Sequence, residues 1–375
     1  MVDALSLPGW IYHDPEFFAA EMERVIRPSW QIVCHQSDLA QPSAWRSLDL
    51  LGESLFAIRG QDGVIRAFAN LCRHRGSRLL DGEGGCARRI TCPYHAWTYA
   101  PDGRLIGVPN RADYDGLRLE DWGLVPVEME LWRGFVFVRL EGGGPSVAEM
   151  LAPYEDDVAP YRLEEVEALG RITLRPRAVN WKNVADNYSD GLHIAVAHPG
   201  LTRLFGDDYR VEAGAHVDRM WGDLVERPSN NLSERAYQTL LPAAEHLPPA
   251  LQRRWLYLKL WPNVAIDIYP DQVDFMHFVP VGPTETLIRE VSYALPDARR
   301  EMRAARYLNW RINRRVNAED SVLIERVQPG MASRFYTPGP LGGSEVSLRS
   351  FARRLRDLIP QARLDRAPPP GWSGR

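Results

Sequence analysis

The chain has 375 residues, 45% of them apolar and 25% charged. That is a globular composition, which excludes fibrous and disordered classes, and at about 100–200 residues per domain it predicts two or three domains. Lys and Arg number 45 against 49 Asp and Glu, so the net charge of −4 offers no basic excess for nucleic acid or an anionic membrane.

The start, MVDALSLPGWIYHD, has acidic residues where a signal peptide needs a basic region and an apolar core. No apolar run approaches the roughly 18 residues of a transmembrane helix, so the expected location is the cytoplasm. Residues 1–30 predict an arm and a helix that pack with the C-terminal domain. Phe17, Phe18, Met22, Val25 and Ile26 recur at helical spacing, Asp14-Pro15 opens the helix and Pro28 closes it.

Residues 31–141 predict a small all-β domain. QIVCH, SLFAIRG, VIRAFANL, RRITCPY and GFVFVRL are short β-branched or aromatic runs, and Gln61-Asp62-Gly63 and Pro101-Asp102-Gly103 supply turns. Gly142-Gly143-Gly144-Pro145 reads as a flexible joint. Residues 146–365 predict an α+β domain with an antiparallel sheet. Its strands are RITLRPRAV, LYLKLWPNVAIDIYP, DFMHFVPV and TLIREVSYAL, and its helices fall near 181–198, 297–328 and 344–359. The tail RAPPPGWSGR is expected to be loose.

Cys72 and His74 form one short pair, and after seventeen intervening residues Cys92 and His95 form a second. Two thiolates and two imidazoles suit either a Cys2His2 zinc site or a Rieske [2Fe–2S] cluster. A zinc finger groups its cysteines and its histidines separately, whereas each pair here mixes them, which fits a cluster with chemically distinct irons. Cys34 and Cys86 lie outside the pattern and read as ordinary thiols.

On Cys72-Arg73-His74-Arg75-Gly76 and Cys92-Pro93-Tyr94-His95-Ala96-Trp97-Thr98-Tyr99, the chain resembles the large (alpha) subunit of the Rieske non-haem iron oxygenases. That family usually has Gly where Ala96 stands, a change expected to have little effect. The resemblance runs from Leu7-Pro8-Gly9-Trp10 to Gln328-Pro329-Gly330. It implies an all-β Rieske domain followed by a helix-grip catalytic domain.

A second constellation lies in NWKNVADNYSDGLHIAVAHPG. Asp190 and His193, three apart, share one face if that stretch is helical. His198 lies about 140° further round an ideal helix, so both histidines meet one metal only if the helix ends between them. Pro199-Gly200 supplies an ending. Two histidines and one carboxylate with open positions are the ligand set of non-haem Fe(II) oxygenases. The resemblance points to Asp320, in Asn317-Ala318-Glu319-Asp320, as the third ligand, with Glu319 as the alternative. It implies a different role for Asp190, which would bridge His193 to His95 of a neighbouring subunit. That in turn implies a head-to-tail homotrimer and a short electron path. Asn183 and Asn187 share the stretch; Asn187 reads first as structural, with a place near the iron as the alternative.

Other features have plain readings. Trp255, Tyr257, Tyr269, Phe275 and Phe278 are expected in the core, though inward positions could line a cavity or cage a quaternary ammonium. His277 reads as a structural histidine. The arginines between 299 and 315 read as a solvated face or a subunit contact, with docking of an acidic electron donor as the alternative. Leu348, Phe351, Leu355 and Leu358 form a core-facing stripe.

The resemblance thus implies the terminal oxygenase component of a Rieske system, holding a [2Fe–2S] cluster and a mononuclear Fe(II). Its expected partners are O2, a small-molecule substrate, and a reductase fed by NAD(P)H, with or without a ferredoxin. The alternatives are a Rieske electron carrier without oxygenase activity and a zinc-stabilised ligand-binding protein. The pattern looks most like the monooxygenase and demethylase branches, including those acting on carnitine, choline and betaines, although these often carry Glu where Asp190 stands. It leaves the substrate, and the choice between hydroxylation and demethylation, open.

Overall fold

The computed structural model describes residues 4–373. Two compact units result, one of Arg27–Ala148 and one joining the segment up to Ile26 with the chain from Glu149 onward.

The first unit is all-β. Gln31–His35 and Glu128–Trp132 flank Phe135–Arg139, and every residue of Gln31–His35 and of Phe135–Arg139 is buried. Ala44–Leu50, Glu53–Arg59, Ile65–Ala69 and Gly84–Cys86 form a four-stranded sheet. The expected strand in RRITCPY is only Ile90–Thr91, because Cys92 immediately enters a loop. The strands Ala44–Leu50 and Glu128–Trp132 escape a sequence reading, since AWRSLDL and EMELW intersperse charges among their apolar residues. Trp45, Phe56, Ile58 and Phe68 pack with Cys72, Cys92, Trp97 and Tyr99 in one core, so the cysteine loops sit directly on the apolar interior. Burial of each large side chain there contributes about 1.5–3 kcal/mol.

The second unit is built on an eight-stranded antiparallel sheet. Arg210–Ala213, Val217–Asp223, Arg254–Leu260, Val264–Ile268, Val273–Gly282 and Glu285–Ala294 form a meander in which each strand pairs with the next. The far edge of Glu285–Ala294 is covered by Glu167–Ala168 and Thr173–Arg177. LYLKLWPNVAIDIYP is therefore two strands and a turn at Trp261-Pro262-Asn263, not one strand.

Helices lie against this sheet. The N-terminal helix opens at Asp14, whose Oδ1 accepts from Phe17 N at 2.7 Å, and helical structure continues to Ile26. The long helix runs from Arg300 to Met331. Gln328, near its end, accepts from the Asn180 main-chain N–H and the Asn183 amide, each at 2.8 Å, and donates to the Tyr12 carbonyl at 3.0 Å. Lys182, fully buried, pairs with Glu21 at 2.8 Å and donates to Ile11 O at 3.0 Å. These contacts tie the N-terminal segment, the helix Trp181–Ser189 and the long helix together.

The tail is not loose as far as Ser373. Trp372 packs against Trp10 and Phe17, and Gly371 N and Ser373 donate to the Glu16 carboxylate. One tryptophan gives an otherwise polar segment an apolar anchor; Gly374 and Arg375 lie outside the described residues.

Candidate metal centres and substrate cavity

Cys72 and Cys92 open two loops of the same design. Cys72 N–H donates to Ser77 O and Gly76 N–H to Cys72 O; Cys92 N–H donates to Trp97 O and Ala96 N–H to Cys92 O. Each loop closes through a left-handed residue, Gly76 at φ 69° and Ala96 at φ 55°. The Gly-to-Ala departure therefore falls where glycine is favoured, and Ala96 carries a conformational cost of about 1 kcal/mol. The loops bring the four expected ligands together. Both thiols are buried and free, the His74 and His95 rings lie 4.6 Å apart, and both Nδ1 atoms are buried without a hydrogen-bond partner. Four donors facing one another with unmet bonding capacity fit a [2Fe–2S] cluster.

The surroundings favour thiolates unequally. Burial pushes the Cys72 thiol up. Burial also pushes on Cys92, but the main-chain N–H groups of His95 and Tyr94 outweigh it and hold that thiol down. Trp97 stacks on His74 at 5.0 Å, and the Tyr99 hydroxyl stands 3.4 Å from Cys72 Sγ.

The second centre forms where helical structure breaks. The helix Trp181–Ser189 stops before Asp190, which is extended, and a turn leads to the short helix Ile194–Ala197. Asp190 and His193 thus do not share a helical face. They meet through a turn in which Asp190 Oδ1 accepts from Leu192 N at 2.8 Å and Oδ2 lies 3.1 Å from His193 Nδ1. The backbone leaves the helical region again at His198, before Pro199.

These breaks bring His193 Nε2 to 3.0 Å from His198 Nε2. Asp320 Oδ1, from the long helix, lies 2.9 Å from His198 Nε2 and 3.4 Å from His193 Nε2. Three donors each about 2.1 Å from a common centre at right angles stand about 3 Å apart, so the set fits one metal ion. Glu319 takes a different place, its Oε2 3.0 Å from His198 Nδ1. The other ring nitrogen of each histidine thus meets a carboxylate, a common partner behind a metal-binding imidazole. Asn187 is part of this site rather than merely structural: its Nδ2 donates to Asp320 Oδ1 at 2.7 Å. Burial disfavours the Asp320 carboxylate, but the two histidines outweigh it and hold the group down at about 2.

His193, His198 and Asp320 stand in the wall of a cavity of about 470 Å³ between the sheet and the long helix. The strand residues Tyr257 and Asp267 line it, together with Tyr269, just past the strand end, and Tyr188 and Tyr209. Asp267 is buried and is bonded by the hydroxyls of Tyr188 and Tyr269. Burial raises its pKa to about 7. Trp255, Phe275 and Phe278 are core residues, as expected. His277 is structural, fully buried with Nδ1 3.0 Å from Arg289 Nη1. Arg306 and Arg314 line the cavity instead of forming only a solvated face.

A family model for the Rieske [2Fe–2S] domain matches residues 29–123, and one for the ring hydroxylating alpha subunit (catalytic domain) matches 157–361. The chain belongs to the Rieske oxygenase alpha subunits. It is similar to the carnitine monooxygenase oxygenase subunit of Escherichia coli (strain K12), 32% identical over 347 residues covering 89% of this chain and 86% of that one. It is also similar to the chloroplastic choline monooxygenase of Atriplex hortensis, 28% identical over 346 residues covering 90% of this chain and 74% of that one. A solved quaternary ammonium Rieske monooxygenase, studied for carnitine oxidation and inter-subunit electron transfer, superposes with a TM-score of 0.79 at 26% identity, covering 94% and 95% of the two chains. This alpha subunit is therefore an oxygenase with a Rieske [2Fe–2S] domain and a mononuclear iron domain. The electron-carrier and zinc readings fall to the match over 157–361, which neither accounts for. Among the described residues no helix is long and apolar enough to cross a membrane.

Proposed function

We propose that this alpha subunit is the terminal oxygenase of a multicomponent system that inserts oxygen into a C–H bond of a small quaternary amine, with electrons from NAD(P)H through a separate reductase, with or without a ferredoxin. The observation that carries the reading is the convergence of His193, His198 and Asp320 on the wall of a tyrosine-lined cavity that also holds the buried Asp267. The names of the similar proteins support it. Cys72, His74, Cys92 and His95 hold the cluster, and His193, His198 and Asp320 hold the iron. When bound, the cluster supplies single electrons and the iron supplies activation of O2.

The chain's own residues bind and orient. Asp190 and Glu319 fix the ring orientations of His193 and His198, and Asn187 fixes the Asp320 oxygen. Tyrosine faces and the buried Asp267 carboxylate offer an ammonium group an attraction that bulk water would screen. An aromatic substrate is the second reading, favoured by the same lining, but an uncharged ring offers no cation to favour the ionised form of Asp267.

The assembly we infer is a homotrimer in which Asp190 of one copy faces His95 of the next. Exposure of Leu192 and Val196, 53% and 86%, beside Asp190, and of Tyr94, 57%, beside His95, supports apolar surfaces that a second copy covers.

The experiment is iron and sulfide analysis with EPR, followed by NAD(P)H-dependent O2 uptake with a reductase and a panel of quaternary amines. About three irons and two sulfides per chain, a Rieske signal and amine-dependent uptake are expected. Uptake driven by aromatic compounds and by no amine would move the assignment to the second reading.

A further inference from the structure

The cavity has a second, basic pole. In the strand Thr173–Arg177 alternate side chains share a face, so Arg175 and Arg177 stand side by side. Arg175 lines the cavity. Both arginines line a recess of about 50 Å³ that shares Asn187, Glu290 and Asp320 with it. Arg314 reaches the cavity from the long helix, stacked on Trp310 at 5.2 Å. The three guanidiniums are close: burial, then the charges of Arg177 and Arg314, make Arg175 easier to deprotonate.

Neutralisation of this group is incomplete. Glu290 pairs with Arg175. Among the described residues Arg314 forms no ion pair, and the buried Nε of Arg177 donates to nothing. Asp320 also lines the recess but is engaged by His193 and His198, so Glu290 is the one carboxylate left for the three arginines. With a buried donor unused, that is an arrangement an anionic ligand group completes. A carboxylate does so with charge-assisted hydrogen bonds.

We infer that Arg175, Arg177 and Arg314 form a carboxylate subsite, so that the enzyme takes betaine-type zwitterions in preference to quaternary cations without an acid group. The inference rests on the quaternary-amine reading above: the ammonium goes to the tyrosines and Asp267, and the carboxylate to the arginine wall. Choline-like molecules satisfy the first pole and leave the second unfilled.

The test is calorimetry on the iron-loaded protein with L-carnitine, γ-butyrobetaine and glycine betaine, each against its methyl ester. An ester keeps the ammonium and removes the negative charge. At least one acid should bind about 10-fold or more tighter than its ester, the strength of a hydrogen bond between charged groups. Arg314→Gln, at an exposed position, should weaken that acid about 10-fold and its ester less than about 2-fold, and Arg314→Lys should keep most of the preference. Equal binding of acid and ester by the natural protein, or equal weakening of both by Arg314→Gln, would overturn the subsite and leave the quaternary-amine reading standing. Binding of no acid and no ester would remove both.

Discussion

Glu319 and Asp320 are neighbours on one helix, yet their carboxylates meet opposite edges of the same imidazole, Nδ1 and Nε2 of His198. In the proposed site the Asp320 oxygen, beside both Nε2 atoms, would be the metal ligand, and Glu319 would set the ring's orientation. Asp320→Ala is expected to abolish mononuclear iron while the cluster remains. Glu319→Gln is expected to keep the iron but weaken its binding about 10- to 100-fold, the usual cost of losing a partner behind a ligand. Iron titration with cluster absorbance as the internal reference checks both. The histidines are legible in the sequence because their spacing and Pro199 imply converging side chains. The acid pair is not resolved by pattern alone. Adjacent helical residues differ by only about 100°, and the direction each one faces is set by how a 32-residue helix lies on a distant sheet. Ala96 is a second case: its identity looks neutral until its φ is known. Ala96→Gly is expected to raise stability by up to about 1 kcal/mol, read as a higher denaturation midpoint with the cluster intact.

At the scale of elements, the sheets are most legible where apolar residues make up most of the strand, as in QIVCH, FVFVR and DFMHFVPV. The strand VDRMWGD is hidden because Asp218, Arg219 and Asp223 interrupt the apolar pattern, although Asp218 is buried. The hairpin of Val264–Ile268 with Val273–Gly282 shows what such polar positions cost. It sets Asp267 directly opposite Asp274, with Asp271 in the connecting turn. Burial raises the pKa values of Asp267, Asp274 and Asp271 to about 7, 8 and 6 respectively. Unfolded aspartates titrate near 3.9, so between about pH 4 and pH 8 the folded chain holds more protons than the unfolded one. Stability should therefore fall as pH rises through that window, by up to about 1.4 kcal/mol per pH unit for each aspartate while it titrates. Thermal melts from pH 5 to 8 should show a falling midpoint. Asp274→Asn, which keeps the shape and removes the charge, should flatten the upper half of the fall. A midpoint that rises steadily over this range would contradict the account.

For the whole molecule, the proposed link between subunits rests on Asp190, which is held toward His193 and has hydrogen-bonding capacity left. Its Oδ2 is committed to His193 and its Oδ1 to Leu192 N, while the side chain stays about 20% exposed. Burial disfavours its ionised form, but the His193 hydrogen bond and the Leu192 N–H outweigh that and keep it a carboxylate. A carboxylate oxygen accepts more than one hydrogen bond, so the exposed side can meet the unpartnered face of an imidazole from another copy. In the trimer proposed above, that imidazole is His95. Asp190→Asn preserves size but removes the negative charge and replaces one of the two acceptor oxygens by an amide donor, which weakens the bridge between two imidazoles. The expected outcome is a protein with both metal centres occupied, an unchanged oligomeric state, and electron transfer from cluster to iron slowed by at least about 100-fold. Single-turnover kinetics of the reduced protein measures that step apart from substrate binding and reductase docking. Near-normal transfer in Asp190→Asn would mean that electrons reach the iron by a route that does not include this carboxylate. Loss of iron instead would mean that Asp190 acts chiefly by orienting His193 within its own chain.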